Sequence, residues 1–150
     1  MDLVDGDTWH GDWAWSIPLI VLSVVIHVSG LVFINEKVIP VLSVAMLRRG
    51  FVMMFTVVIG VTALLATMLL GLEAAAWAVA YRFLDALPNF RSAMLYSLSA
   101  ITSYGHANLF LESQWQLMGA LEALDGMLLF GLTTAFLFAM IQKVRSLNRR

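Results

Sequence analysis

The chain has 150 residues, 61% of them apolar and only 13% charged, with no cysteine and a formal charge of −1. A soluble domain carries about twice that charged share, and with a mean hydropathy of +0.86 the sequence reads as an integral membrane protein of one domain and a few spans. This composition excludes a disulfide frame and any cysteine-based metal or redox centre, and no basic run suits nucleic acid.

Residues 1–15 carry Asp2, Asp5, Asp7 and Asp12, no Lys or Arg, and the interleaved Trp9, Trp13 and Trp15. Acid followed by tryptophan predicts an extracytoplasmic tail meeting the headgroup layer. With no basic opening segment, no cleaved signal peptide is expected. The first span runs over Ser16–Asn35, about enough to cross ~30 Å of hydrocarbon. His27 is its one interior ionisable residue. An intramembrane ionisable group is a functional candidate by default, but a hydrogen-bond partner on a neighbouring helix is the commoner explanation. No regularly spaced arginines suggest a voltage sensor.

A link over Glu36–Gly50 follows, carrying Lys37, Arg48 and Arg49. Its positive charge marks the cytoplasmic side. The second span covers Phe51–Leu72, with Gly60 and Thr62 expected to pack helices. The two spans and their link form the block 16–72. Residues 73–150 then hold everything else, beginning with an interfacial helix between Glu73 and Leu87 whose Trp77, Tyr81 and Leu84 share one face. Pro88 blocks its continuation, and Asn89 is a good N-cap for a new helix through about Ala100. The third span runs over Trp115–Ile141, followed by Lys143, Arg145, Arg149 and Arg150. These charges put the N-terminus outside, the C-terminus inside, and residues 73–114 outside.

The stretch Phe90–His106, FRSAMLYSLSAITSYGH, is too short to cross a bilayer. A short helix, a polar Tyr-Gly tail and a return to an apolar span give the layout of a re-entrant loop. Irregular backbone at membrane depth is tolerated only where it is buried in protein or lines a water-filled path. With Leu95-Tyr96-Ser97, Tyr104-Gly105 and the Gly-containing stretch Leu117–Gly131, LMGALEALDGMLLFG, residues 73–144 resemble the pore module of the tetrameric potassium-channel superfamily, in particular its small bacterial members. The resemblance implies an all-α membrane fold of three transmembrane helices plus a re-entrant pore helix and filter loop. It further implies a homotetramer in the lipid bilayer of a bacterial inner membrane. The cargo would be permeant potassium, with sodium admitted by weakened selection, and there would be no resident metal, cofactor or catalytic residue.

Set without gaps on the T-V-G-Y-G filter, whose carbonyls replace an ion's hydration shell, Ile101 takes the Thr position, Thr102 the Val and Ser103 the first Gly. Tyr104 and Gly105 match, and His106 follows at the outer mouth. Ile101 removes a hydroxyl, and a left-handed Ser103 costs roughly 1–2 kcal/mol per chain. His106 brings a side chain that titrates near neutrality. In the third span, Gly119, Glu122, Asp125, Gly126, Leu129 and Thr133 fall on one side at 100° per residue. Two readings of this face stand open. The carboxylates form a cation-attracting ring below the filter, with Gly126 or Gly131 letting the helix bend. Or Glu122, which matches a Glu of similar channels, braces the back of the pore loop, and the glycines serve close packing. Two rivals from other classes remain: a nonconducting structural or regulatory membrane subunit with a lapsed filter, and a haem-binding membrane anchor using His27, for which His10 and His106 are poorly placed second ligands.

Overall fold

The computed structural model describes residues 6–46, 50–105 and 109–147. Helix α1 (Gly6–Phe33) passes through a π turn (Ile34–Val38) into α2 (Ile39–Met46). Then come α3 (Phe51–Phe83), the short α4 (Phe90–Ile101) and, after a 3-10 turn (Ser113–Trp115), α5 (Gln116–Leu147). No strand occurs among the described residues. Three helical stretches, Gly11–Ala45, Phe51–Phe83 and Ser113–Arg145, are long and apolar enough to cross a membrane.

Three boundaries differ from the sequence reading. The expected acidic tail is helical from Gly6, and Asp12 is buried within the packing. The expected link over Glu36–Gly50 is helical as far as Met46. Pro40 lacks an amide donor and crowds the carbonyl four residues back; the π turn, which ends two residues earlier, widens the helix where that crowding falls. Lys143 of α5 fastens the turn by donating to Asn35 Oδ1 at 3.0 Å.

The third difference is the largest. The interfacial helix expected over Glu73–Leu87 is the continuation of the second span. Helix α3 is unbroken for 33 residues, about 50 Å at 1.5 Å per residue. Its inward residues, Met54, Val58, Thr62, Ala66, Glu73, Trp77 and Tyr81, form one continuous stripe that drifts slowly round the helix. Trp77 and Tyr81 are wholly buried against α4 and α5 instead of resting on a surface.

Both α3 and α4 stop in the same way. At the end of α3 the amides of Ala86 and Asp85 return to the carbonyls of Tyr81 and Arg82, at 3.0 and 3.3 Å. At the end of α4 those of Tyr104 and Ser103 return to Ser99 and Ala100, both at 3.0 Å. These are Schellman closures, which place one residue in the left-handed region. Here those residues are Asp85 (φ 52°) and Ser103 (φ 54°) where glycine is usual. Ser103→Gly is therefore expected to stabilise the fold by about 0.5–1 kcal/mol, the relieved steric cost less glycine's larger entropy loss. A rise in the thermal unfolding midpoint of the purified protein checks this.

The core divides into two parts. One, around Trp77, Tyr81, Ala93, Tyr96 and Met118, gathers α3, α4 and α5. The other, around Leu31, Ile34, Met54, Val58, Met140 and Val144, fills the opposite end, with Thr62 beside it donating its hydroxyl back to the Val58 carbonyl.

Candidate functional site

Helix α4 is set by local chemistry at both ends. Asn89, the expected N-cap, accepts from the Ser92 amide at 2.8 Å, and the Schellman turn closes the other end. Its 12 residues reach about 18 Å, short of a ~30 Å crossing. Ala93, Tyr96, Ser97, Ala100 and Ile101 face inward. The fit to α5 is close: a Cβ on Gly126 would overlap the carbonyl oxygen of Ile101, with Ile101 Cα only 2.6 Å away.

This geometry corrects the filter assignment. Ile101, expected to open an extended filter, is the last residue of α4 and is buried. Thr102 keeps helical angles, and its hydroxyl donates back to the Leu98 carbonyl at 2.6 Å. Ser103 does adopt the left-handed conformation whose cost the sequence argument weighed. Tyr104 and Gly105 continue beyond this turn; Tyr104 is 87% exposed and Gly105 has φ 84°. His106 lies outside the described residues. A cleft of about 330 Å³ opens beside the turn, between Leu70 of α3, Thr102 and Ser103, and Met127 and Phe130 of α5.

Behind α4 runs a buried polar seam. In α1 every fully buried residue from 11 to 30 is polar: Asp12, Ser16, Ser23 and His27. The lipid-compatible residues Ile17, Val21, Leu22, Val25 and Val28 point outward. His27 uses both ring nitrogens, Nδ1 with Glu73 Oε1 and Nε2 with Thr133 Oγ1, each at 2.9 Å. It thereby joins α1, α3 and α5. Trp77 Nε1 donates to Ser23 Oγ and Asp125 Oδ2, both at 3.2 Å. Tyr81 donates its hydroxyl to Glu122 Oε2 at 2.7 Å, and its ring stands edge-on to Tyr96, centroids 5.4 Å apart.

The inward face expected on α5 is present, since Gly119, Glu122, Asp125, Gly126, Leu129 and Thr133 are all buried. What it faces is the interior of its own chain. Glu122 is 0% and Asp125 2% exposed, and adding neighbouring copies can only bury a residue further. Within the single chain, then, these carboxylates face neighbouring helices and no open surface. Glu122 bonds to α3 and stands beside Ser97 of α4, which is close to the bracing reading. The two expected hinges separate: Gly126 is a packing contact, whereas around Gly131 nothing lies within 4 Å of an added Cβ. Gly60, expected to pack, has equally open surroundings.

The sequence reading missed Glu73, Trp77, Tyr81 and Ser97 as members of the seam. The signal was available: Glu73, Trp77 and Tyr81 are four apart and in phase with Thr62 and Ala66. Among the described residues no group of three or more His, Asp or Glu side chains is placed to hold a metal ion. No protein-family model, curated protein or solved structure matches the chain, so the functional argument rests on its own residues.

Proposed function

We propose that this membrane protein is one subunit of a homotetrameric, potassium-channel-like pore that passes monovalent cations down their gradient. The observation that carries the reading is α4: a helix too short to span, wedged between two spanning helices. It ends in a turn from which Tyr104 and Gly105 emerge beside an open cleft. A helix C-terminus carries roughly half a negative charge, and four such ends converging on one axis would attract a cation. One chain supplies only one wall of such a pore, so a closed ring is required. Lys37, Lys143 and Arg145 at the end remote from α4 favour an orientation with that end in the cytoplasm of a bacterial inner membrane.

Because Ile101 and Thr102 are committed to helix, the filter register moves two residues along. Ser103 then takes the Thr position and Tyr104 the Val, and Gly105, with its positive φ, takes the first Gly of T-V-G-Y-G. His106 and Ala107 fall on the Tyr and second Gly. A histidine and an alanine at those positions still predict weak selection.

The test is cation flux from proteoliposomes under potassium and sodium gradients. The expected result is flux above empty liposomes with a potassium-to-sodium ratio near unity; a potassium-only pore would reject the altered filter. One observation favours a nonconducting structural subunit instead: the bulky, exposed Tyr104 directly follows Ser103, which lines the cleft. Absence of flux in both wild type and Ser103→Gly would leave that reading standing. The haem-anchor alternative is disfavoured because Glu73 and Thr133 engage both nitrogens of His27.

A further inference from the structure

The three carboxyl groups of the seam share a pattern. Each gives one oxygen to a protein partner: Glu73 Oε1 to His27, Asp125 Oδ2 to Trp77, Glu122 Oε2 to Tyr81. In each the other oxygen, Glu73 Oε2, Asp125 Oδ1 or Glu122 Oε1, is buried with no hydrogen-bond partner among the described residues. Glu122 and Glu73 are 0% and Asp125 2% exposed, so bulk solvent does not serve these atoms. An unpaired buried polar group costs about 1–3 kcal/mol, and three in one seam would consume much of a membrane protein's margin.

The surroundings indicate what fills the gap. Ser97 stands beside the Glu122 carboxyl and Ser23 beside that of Asp125. Yet neither Ser97 Oγ nor Glu122 Oε1 has a direct partner of good hydrogen-bond geometry among the described residues, although the serine lies close enough to act on the carboxyl group. Complementary polar groups side by side without a well-formed direct bond are the setting for a bridging water, and a water that finds two to four polar partners is retained as part of the fold. A cation is the weaker candidate, because these groups do not converge into a metal-holding set.

The geometry points to a closed water-binding seam behind α4, in which one water bridges Glu122 Oε1 to Ser97 Oγ and others serve Asp125 and Glu73. Its ligand is water, and its effect is to tie the short helix to α5. This holds whether or not the chain conducts.

Hydroxyl-radical footprinting by X-ray radiolysis of the full-length protein in lipid nanodiscs tests it. Radicals form from bound water and oxidise the side chain beside it. Trp77 and Tyr81, both 0% exposed, are expected to be oxidised. Met140, 2% exposed in the apolar half, should be spared although methionine is readily oxidised. Ser97→Ala removes no well-formed direct bond, so it should fold; it is expected to lower oxidation of Tyr81 and leave Trp77 unchanged. Trp77 and Tyr81 as unreactive as Met140 would mean a dry seam and overturn the proposal. Met140 as reactive as Trp77 would mean general breathing and overturn it equally. Unchanged Tyr81 oxidation in Ser97→Ala would remove the Ser97 bridge.

Discussion

Gly126→Ala is expected to destabilise the protein by about 1–3 kcal/mol, the range for overpacking a filled core, and to abolish whatever the α4 loop does. The added methyl would meet the carbonyl oxygen, Cα and carbonyl carbon of Ile101. Those are backbone atoms, which cannot swing aside as a side-chain tip can. Relief comes only by moving the end of α4, and the Schellman turn and Tyr104 move with it. Two neighbouring glycines serve as controls. At Gly119 a methyl would strike the Tyr96 hydroxyl and, at 3.1 Å, Leu111 Cδ1. Both are far ends of side chains, so a smaller loss is expected. At Gly131 nothing stands in the way, and alanine should gain up to about 1 kcal/mol of helix propensity. Thermal unfolding of the three variants in one detergent, with flux measured alongside, gives the order. If Gly126→Ala proved as mild as Gly131→Ala, the close crossing of α4 on α5 would be wrong.

His27→Leu is the second large effect. The substitution keeps an apolar side chain of similar bulk but strands Glu73 Oε1 and Thr133 Oγ1, both buried. In a water-soluble core each orphan costs about 1–3 kcal/mol. Within a bilayer the unfolded helices also find partners, and single hydrogen bonds there average about 0.6 kcal/mol. The two bonds are not equal. The Thr133 link joins a neutral hydroxyl, so its share should sit near the membrane average. The Glu73 link leaves a buried carboxyl group without its only side-chain partner among the described residues, so its share should approach the soluble-core figure. A total of about 2–4 kcal/mol is expected on that division. A double-mutant cycle separates the parts: His27 should couple to Glu73 more strongly than to Thr133. Equal, small couplings would reduce His27 to a space-filling residue.

Much of this arrangement was legible in the chain. Because a helix keeps its period whatever it packs against, the 100° spacing on α5 picked out six residues of its buried face, Gly119 to Thr133, though not Met118, Leu121, Met140 or Val144. Asn89 capped α4 as its side chain predicts, because capping is settled within three residues. The failures share a cause: each concerns what lies opposite a face or where a period ends. Glu122 and Asp125 were placed on the right side of α5, but nothing local distinguishes the interior of one chain from a channel shared by four. The break expected after Leu72 came from counting residues against bilayer thickness. Following the stripe from Met54 to Tyr81 would have carried the helix to Phe83. Ile101 was read as filter by analogy of sequence, whereas hydrogen bonding from Thr102 to Leu98 keeps it in α4.

The His27 bridge also bears on how the protein is made. Glu73 follows His27 by 46 residues and Thr133 follows it by 106, so the partners leave the ribosome in that order. At about 5–20 residues per second, α1 and α3 wait some 3–12 s for the third partner. During that interval Glu73 would be a lone acid in lipid, a costly state for a spanning segment, unless it meets the imidazole at once. The earliest product of synthesis is therefore expected to be a two-helix hairpin closed by His27 and Glu73, with Ser23 and Trp77 beside them. The last helix docks onto a prepared surface, completing the bridge through Thr133.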